Sequence, residues 1–297
     1  MSELLAVERV TKTYSMGGLF GRAAFPAVDD VSFAIATGRP EIFTIVGESG
    51  SGKTTLSRMI LGLVPPSAGT IRFRGEDVTR LRGSKARVAF MGAMQPIFQN
   101  PFEAFNPLKR VDRYLVMTAR RFRGAERGVH AEDIADEALG KVGLSYAEVG
   151  GRFPHELSGG QLQRTAIARA LIPNPALLIA DEPVSMVDAS LRMSIVNVFK
   201  TLRDNMRVSI IYITHDLATA YYISDRIIIM QKGKMVESGD ARTVLDNPQH
   251  PYSILLKESV LSPTVRDTNG RTSERNAAPP PLQVKSGRRD PVTEAPG

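Results

Sequence analysis

The sequence predicts an α/β fold built on a mostly parallel sheet, and three observations lead there. Short, almost wholly apolar runs recur at Ile42–Val46, Ala176–Ala180, Val208–Thr214 and Ile227–Met230. Such runs suit strands covered on both faces, as in parallel sheets. Stretches of helical periodicity separate them. The first run opens directly into Gly47-Glu48-Ser49-Gly50-Ser51-Gly52-Lys53-Thr54. This octapeptide fits the phosphate-binding pattern G-x-x-x-x-G-K-[ST], and a helical stretch from Thr54 to Leu63 follows it. Strand, glycine loop and helix form the context that this pattern requires.

The remaining elements follow in chain order. Residues 3–10 and 27–36 read as short strands by apolar alternation. Between them Ser15–Pro26 reads as a glycine-bearing loop with exposed Leu19, Phe20 and Phe25. Thr70–Arg74 and Val88–Met91 read as two more strands, and the first strands resemble an antiparallel addition to the main sheet. From Lys109 to Val149 the pattern turns helical, with Ile134, Ala135, Ala138, Leu139 and Val142 forming one stripe. Leu162–Leu171 and Leu191–Asn205 read as helices, Met235–Glu237 as a strand after a turn at Gly233, and Pro248–Val260 as a helix plus a turn. Residues 262–297 carry Pro279-Pro280-Pro281 and few large apolar side chains, which predicts a disordered tail.

Bulk composition narrows the function. A length of 297 residues allows one large domain or two small ones. No apolar run approaches the roughly 18–20 residues needed to cross a bilayer. Glu3 and Glu8 precede any apolar stretch, so no signal peptide is expected. The absence of cysteine excludes disulfides and thiolate metal sites. The formal charge is +7, and Lys109–Arg127 alone holds seven basic residues against Asp112 and Glu126. With no aromatic-rich nucleic-acid module beside it, this patch reads as a solvated or membrane-proximal surface, and no nucleic-acid partner is expected.

Three motifs carry chemistry. In the glycine loop, backbone N–H groups can turn toward an anion and the helix N-terminus adds positive potential. Lys53 suits β- and γ-phosphates, and the Thr54 hydroxyl suits Mg²⁺. Leu177–Glu182 is an apolar strand ending in two acids at the carboxyl end of the sheet. There Asp181 is placed to hold Mg²⁺ and Glu182 to orient or deprotonate the attacking water, as phosphoryl transfer requires. Leu157-Ser158-Gly159-Gly160-Gln161 offers a second anion-binding helix start, with Ser158 as its cap.

In this order and spacing the motifs resemble those of the ATP-binding cassette (ABC) ATPases, the motors of ABC transporters, over roughly residues 3–245. Leu157–Gln161 is similar to the family's signature, residues 47–54 to Walker A and 177–182 to Walker B. The resemblance implies a P-loop NTPase with a RecA-like core, an antiparallel β addition and a helical subdomain at about 105–172. It implies a cassette over 1–245, a C-terminal extension over 246–261 and a tail beyond. It implies ATP bound by residues 47–54 together with Thr55, and Mg²⁺ held by Thr54, Gln99 and Asp181. Gln99, in Phe98-Gln99-Asn100-Pro101, corresponds to the Q-loop glutamine; Gln95 lacks those flanks. Asp188 corresponds to the D-loop acid, although the Met186-Val187 before it differs from the usual pair. His215 corresponds to the switch histidine, and Glu182, His215 and Gln99 to the catalytic set. Tyr14 fits the adenine-stacking aromatic, with Phe20 and Phe25 as rivals.

Gly17–Arg22, Phe98–Pro107 and Asn247–Tyr252 further resemble the oligopeptide and dipeptide importer branch, some of whose members import nickel or oligosaccharides. That branch implies a second ATPase subunit, either a copy or a paralogue, paired head to tail so that Ser158, Gly159 and Gly160 meet the partner's ATP. It implies two transmembrane permease subunits, an extracytoplasmic solute-binding protein and a peripheral place on the cytoplasmic face of the inner membrane. The usual turn before the first buried strand is altered at Thr37–Glu41.

Overall fold

The computed structural model describes residues 2–18, 21–124 and 129–261. The tail, Leu19 and Phe20 lie outside them. The chain opens with a hairpin, β1 (Glu3–Gly18) and β2 (Gly21–Ala36), then runs through β3 (Ile42–Val46), α1 (Lys53–Ile60), β4 (Ala68–Phe73) and β5 (Glu76–Asp77). Next come α2 (Ser84–Ala93), β6 (Met94–Ile97), α3 (Val111–Arg123), α4 (Val129–Gly140), α5 (Tyr146–Val149) and α6 (Gly159–Leu171). The last part holds β7 (Leu177–Asp181), α7 (Ala189–Met206), β8 (Ser209–Thr214), α8 (Leu217–Ile223), β9 (Arg226–Gln231), β10 (Lys234–Asp240), α9 (Ala241–Asp246) and α10 (Pro251–Leu261).

Two sheets result. The larger has the order β10-β9-β3-β8-β7-β6, parallel except for the β9–β10 hairpin at one edge. The smaller is antiparallel, in the order β2-β1-β4-β5. Alternation along the strands sends neighbouring side chains to opposite faces. Ile42, Leu178, Ala180, Ile210 and Tyr212 join a core with α3, α4, α6 and α7. Phe43, Ile45, Leu177, Ile179, Ile211 and Ile213 join a second core with α1 and the antiparallel sheet. The central strands are thus buried on both sides, which is why they read as unbroken apolar runs.

Two expectations need correction, on Val88–Met91 and on Ser15–Pro26, and a third, the helical stretch from 109 to 149, is present in more detail. Val88–Met91 is not a strand: it lies within α2, which has no fully buried residue, and the buried strand is the following β6. The alternation of Val88 and Phe90 reflects a helix lying partly on the surface. β6 tolerates Pro96 because it is an edge strand paired only with β7. Ser15–Pro26 is not a free loop; β1 and β2 continue to pair from Thr13↔Pro26 out to Gly18↔Gly21. The helical stretch from 109 to 149 is three helices. Left-handed Gly124 ends the first, and the turn holding left-handed Gly143 separates the other two.

Leu162 on α6 is fully buried in the core shared with the large sheet. Leu162→Ala is expected to lower the unfolding free energy by about 2–5 kcal/mol, measured by urea denaturation.

Candidate functional site

The site is built at the carboxyl ends of the parallel strands. β3 delivers the chain into the glycine loop, which folds back over Lys53 at the start of α1. The Lys53 ammonium donates to the carbonyls of Gly47 (2.7 Å) and Glu48 (2.8 Å) and reaches Ser51 Oγ at 3.4 Å. It is almost wholly buried, and burial pushes its pKa down; Glu182, Asp181 and Glu48 oppose the shift through their charges. Two glycines are required by close approach. A Cβ at Gly47 would collide with the Met230 carbonyl, and one at Gly52 with the Ala27 carbonyl. Gly52 also sits at φ +101°, a conformation that side chains disfavour. The loop is therefore wedged between β9 and β2. Ser49 and Gly50 stay exposed at its tip, and Thr54 and Thr55 occupy the first turn of α1, where N–H groups lack intrahelical acceptors.

β7 ends in Asp181, whose carboxylate lies on the side of the Thr54 hydroxyl at the start of α1. Burial pushes the Asp181 pKa up, the largest influence on it. An ionised carboxylate in that position is short of positive charge. The Thr54 hydroxyl and the Asp181 carboxylate are oxygen donors of the kind Mg²⁺ prefers, and the Gln99 amide, which reaches Glu182 beside Asp181, would supply a third through its oxygen. Among the described residues no group of three or more acids or histidines could hold a metal unaided. That fits an ion that keeps waters and substrate phosphates as its other ligands.

Glu182 is the meeting point of the predicted catalytic set. Gln99 Nε2 donates to its Oε2 at 3.1 Å, and His215 Nδ1 lies 3.1 Å from its Oε1. The backbone at Glu182 is left-handed (φ 45°) and is held by its N–H donating to the Ile213 carbonyl at 2.9 Å. Ser185 Oγ donates to the Glu182 carbonyl, also at 2.9 Å. A non-glycine residue in this region stores strain, here at the residue expected to handle the water. Gln95 does not compete: its side chain turns back to the Met91 carbonyl.

The signature lies elsewhere. Ser158 caps α6, its Oγ accepting from Gln161 N (3.2 Å), while Gln161 Oε1 accepts from Ser158 N (3.1 Å). Leu157 is buried beneath the turn. Ser158 and Gly159 are exposed, and Gly160 leaves no room for a Cβ against Leu191 Cδ1, at 2.9 Å. Asp188 begins α7 with an exposed carboxylate that caps nothing. Among the described residues, neither Ser158 nor Gln161 hydrogen-bonds to the glycine loop, Asp181, Glu182 or His215. The glycine loop before α1 and the capped turn before α6 are therefore separate features of the chain. Tyr14 and Phe25 face each other across the hairpin with ring centroids 6.2 Å apart, and Lys12 Nζ lies 5.3 Å from the Tyr14 ring. Both rings are exposed, two plausible stacking surfaces side by side.

One contact had no signal in the sequence. The N–H of Glu48 donates to the Tyr252 hydroxyl at 2.9 Å, a link between the glycine loop and α10. It spans more than two hundred residues, and no local pattern announces it.

Known proteins with the same features confirm the family. A profile described as "ABC transporter" matches residues 28–185, and one described as "Oligopeptide/dipeptide transporter, C-terminal region" matches 236–289. The chain is 38% identical over 278 residues to the oligopeptide transport ATP-binding protein AppF of Bacillus subtilis, covering 92% of this chain and 82% of that one. It is 37% identical over 284 residues to a putative peptide import ATP-binding protein of Brucella ovis, covering 96% and 87%. A dimeric structure of the ATP-binding cassette MJ0796 in a post-hydrolysis state, bound to ADP and Pi, superimposes with a TM-score of 0.70 at 28% identity, covering 80% and 99%. With more than half its length inside the first profile and motif, fold and relatives in agreement, the chain belongs to the ABC transporter family.

Proposed function

We propose that this chain is the ATP-hydrolysing subunit of an importer that takes up oligopeptides or dipeptides across the cytoplasmic membrane. The observation that carries the hydrolytic reading is the Glu182 carboxylate held between Gln99 and His215, one residue beyond the acid that faces Thr54. The C-terminal profile match and the peptide-transport relatives support the substrate class.

In this reading residues 47–55 cradle the triphosphate. The Lys53 ammonium, now satisfied only by carbonyl and hydroxyl oxygens, turns to the β- and γ-phosphates. Thr54, Asp181 and Gln99 hold Mg²⁺, which when bound neutralises charge developing on the phosphates. Glu182 takes a proton from the attacking water, and His215 and Gln99 orient the carboxylate. Tyr14 or Phe25 stacks on adenine. Ser158, Gly159 and Gly160 close on the ATP of a second cassette, a copy or a paralogue, while Asp188 lies at the same junction. Two permease subunits and an extracytoplasmic solute-binding protein complete the machine, with no nucleic-acid partner. No helix among the described residues is long and apolar enough to cross a membrane, which fits a peripheral subunit on the cytoplasmic face.

Deleting the gene is expected to abolish uptake of radiolabelled peptides, with recovery on return of the parent chain but not of Glu182→Gln. The same variant should bind ATP normally and hydrolyse it about 10²–10⁴-fold more slowly, read by phosphate release. Asp181→Asn tests the metal assignment. The folded pKa of Asp181 lies above its unfolded value, so its contribution to stability is present at low pH and lost as pH rises through the folded pKa. At neutral pH the variant should therefore unfold at a higher temperature than the nucleotide-free parent, a gain that fades on acidification. It should also lose the tightening of ATP binding by Mg²⁺.

A further inference from the structure

The peptide unit joining Gly47 to Glu48 is fastened at both ends. Its carbonyl accepts from Lys53 Nζ at 2.7 Å, and its N–H donates to the Tyr252 hydroxyl at 2.9 Å. Tyr252 reaches this position from α10, far along the chain. Its ring is 9% exposed and packs in an apolar cluster with Val46, the last residue of β3, and with Leu217, Val244 and Leu245. The turn that aims it is itself anchored. Glu237 on β10 accepts from Gln249 N (2.9 Å) and His250 N (3.2 Å), and His250 Nδ1 accepts from Tyr252 N (3.2 Å). Burial pushes the phenol pKa up, so the hydroxyl stays neutral at physiological pH.

We infer that Tyr252 is a positioning residue for the phosphate loop: its hydroxyl keeps the Gly47–Glu48 peptide in place when Lys53 leaves the loop carbonyls for nucleotide. The inference rests on the ATPase reading given above. The Lys53 contacts that fix this peptide in the empty loop compete directly with phosphate. The Tyr252 contact does not, because it approaches from the side of the apolar cluster and engages an N–H rather than the ammonium. Without it, the Gly47–Glu48 plane is free to rotate at the moment of binding, and ordering it lowers affinity. The same bond withdraws the Glu48 N–H from the phosphates, leaving anion contact to the amides that follow.

The test uses the full chain, Mg²⁺ and ATP, with affinity read by displacement of a fluorescent trinitrophenyl nucleotide. Tyr252→Phe keeps the ring and removes the acceptor. It is expected to weaken ATP binding about 3- to 10-fold, the loss of one neutral hydrogen bond, and to accelerate amide exchange in residues 46–51. Val244→Ala loosens the same cluster without touching the hydroxyl. It should lower the melting temperature while leaving ATP affinity within about twofold of the parent. Should Tyr252→Phe fail to fold, Glu237→Gln, which slackens the turn aiming the ring, carries the same affinity test. Tyr252→Phe affinity within about twofold of the parent, or an equal loss in Val244→Ala, overturns the inference. A parent chain that binds no ATP overturns the ATPase reading along with it, whereas a binding parent beside an indifferent Tyr252→Phe sinks the positioning role alone.

Discussion

A buried ammonium organises this molecule. Lys53 is 5% exposed and meets only neutral oxygens of its own loop within hydrogen-bond reach. Removing such a charge from water is costly unless other groups take over its hydration. The glycine loop does so by curling its carbonyls inward, which needs glycine where the loop presses on Ala27 and Met230. Asp181 and Glu182 lower the cost further from the strand end opposite. They can do so because β8 alone separates β3 from β7 in the sheet. The order of the strands, the tightness of the loop and the burial of an under-compensated Asp181 all follow from seating one cation where an anion is to arrive.

Much of this was legible in the sequence because the residues concerned answer to local rules. Ile42–Val46, Leu177–Ala180 and Ser209–Thr214 are covered on both faces, and a strand so placed must be apolar throughout. The glycine loop, the acids after β7 and the cap at Ser158 each combine residue types that few other structures need together. Legibility failed where tertiary context overrode the local pattern. Val88 and Phe90 alternate like a strand yet lie on a helix, because the sheet edge is occupied by the next four residues. Ser15–Pro26 reads as a loop because of its glycines, yet the backbone pairing of the hairpin runs through it to Gly18↔Gly21. The helices α8 and α9 escaped notice because seven and six residues are too few to display a period. Flanking residues singled out Gln99 over Gln95, and only the fold shows that the first amide reaches Glu182 while the second turns away.

The two glycine-bearing helix starts of this chain sit in different surroundings. The glycine loop is enclosed by two sheets and its lysine is buried. The Ser158–Gly160 turn is solvent-facing, and its capping box satisfies only one donor at each end. The first turn of α6 carries no acid, and Ser158 and Gly159 are open to solvent at its start. The contact of Gly160 with the Leu191 side chain brings that surface next to α7, and so to Asp188 at the same end of that helix.

The carboxylate and the two side chains around it come from three neighbouring strands, just beyond the end of each: Gln99 after β6, Glu182 after β7 and His215 after β8. Sheet spacing of about 4.8 Å sets their separations. The chain beyond each flank differs, however. After His215 it enters α8, whose Leu217 and Ala220 are packed with β3 and β9. After Gln99 it enters a short 3₁₀ turn at Pro101–Ala104, and Arg169 of α6 holds the Ala104 carbonyl. One flank is bolted to the sheet and the other to the helices. The amide thus shares its support with the helical layer through Arg169, whereas the imidazole is backed by the apolar cluster against β3 and β9.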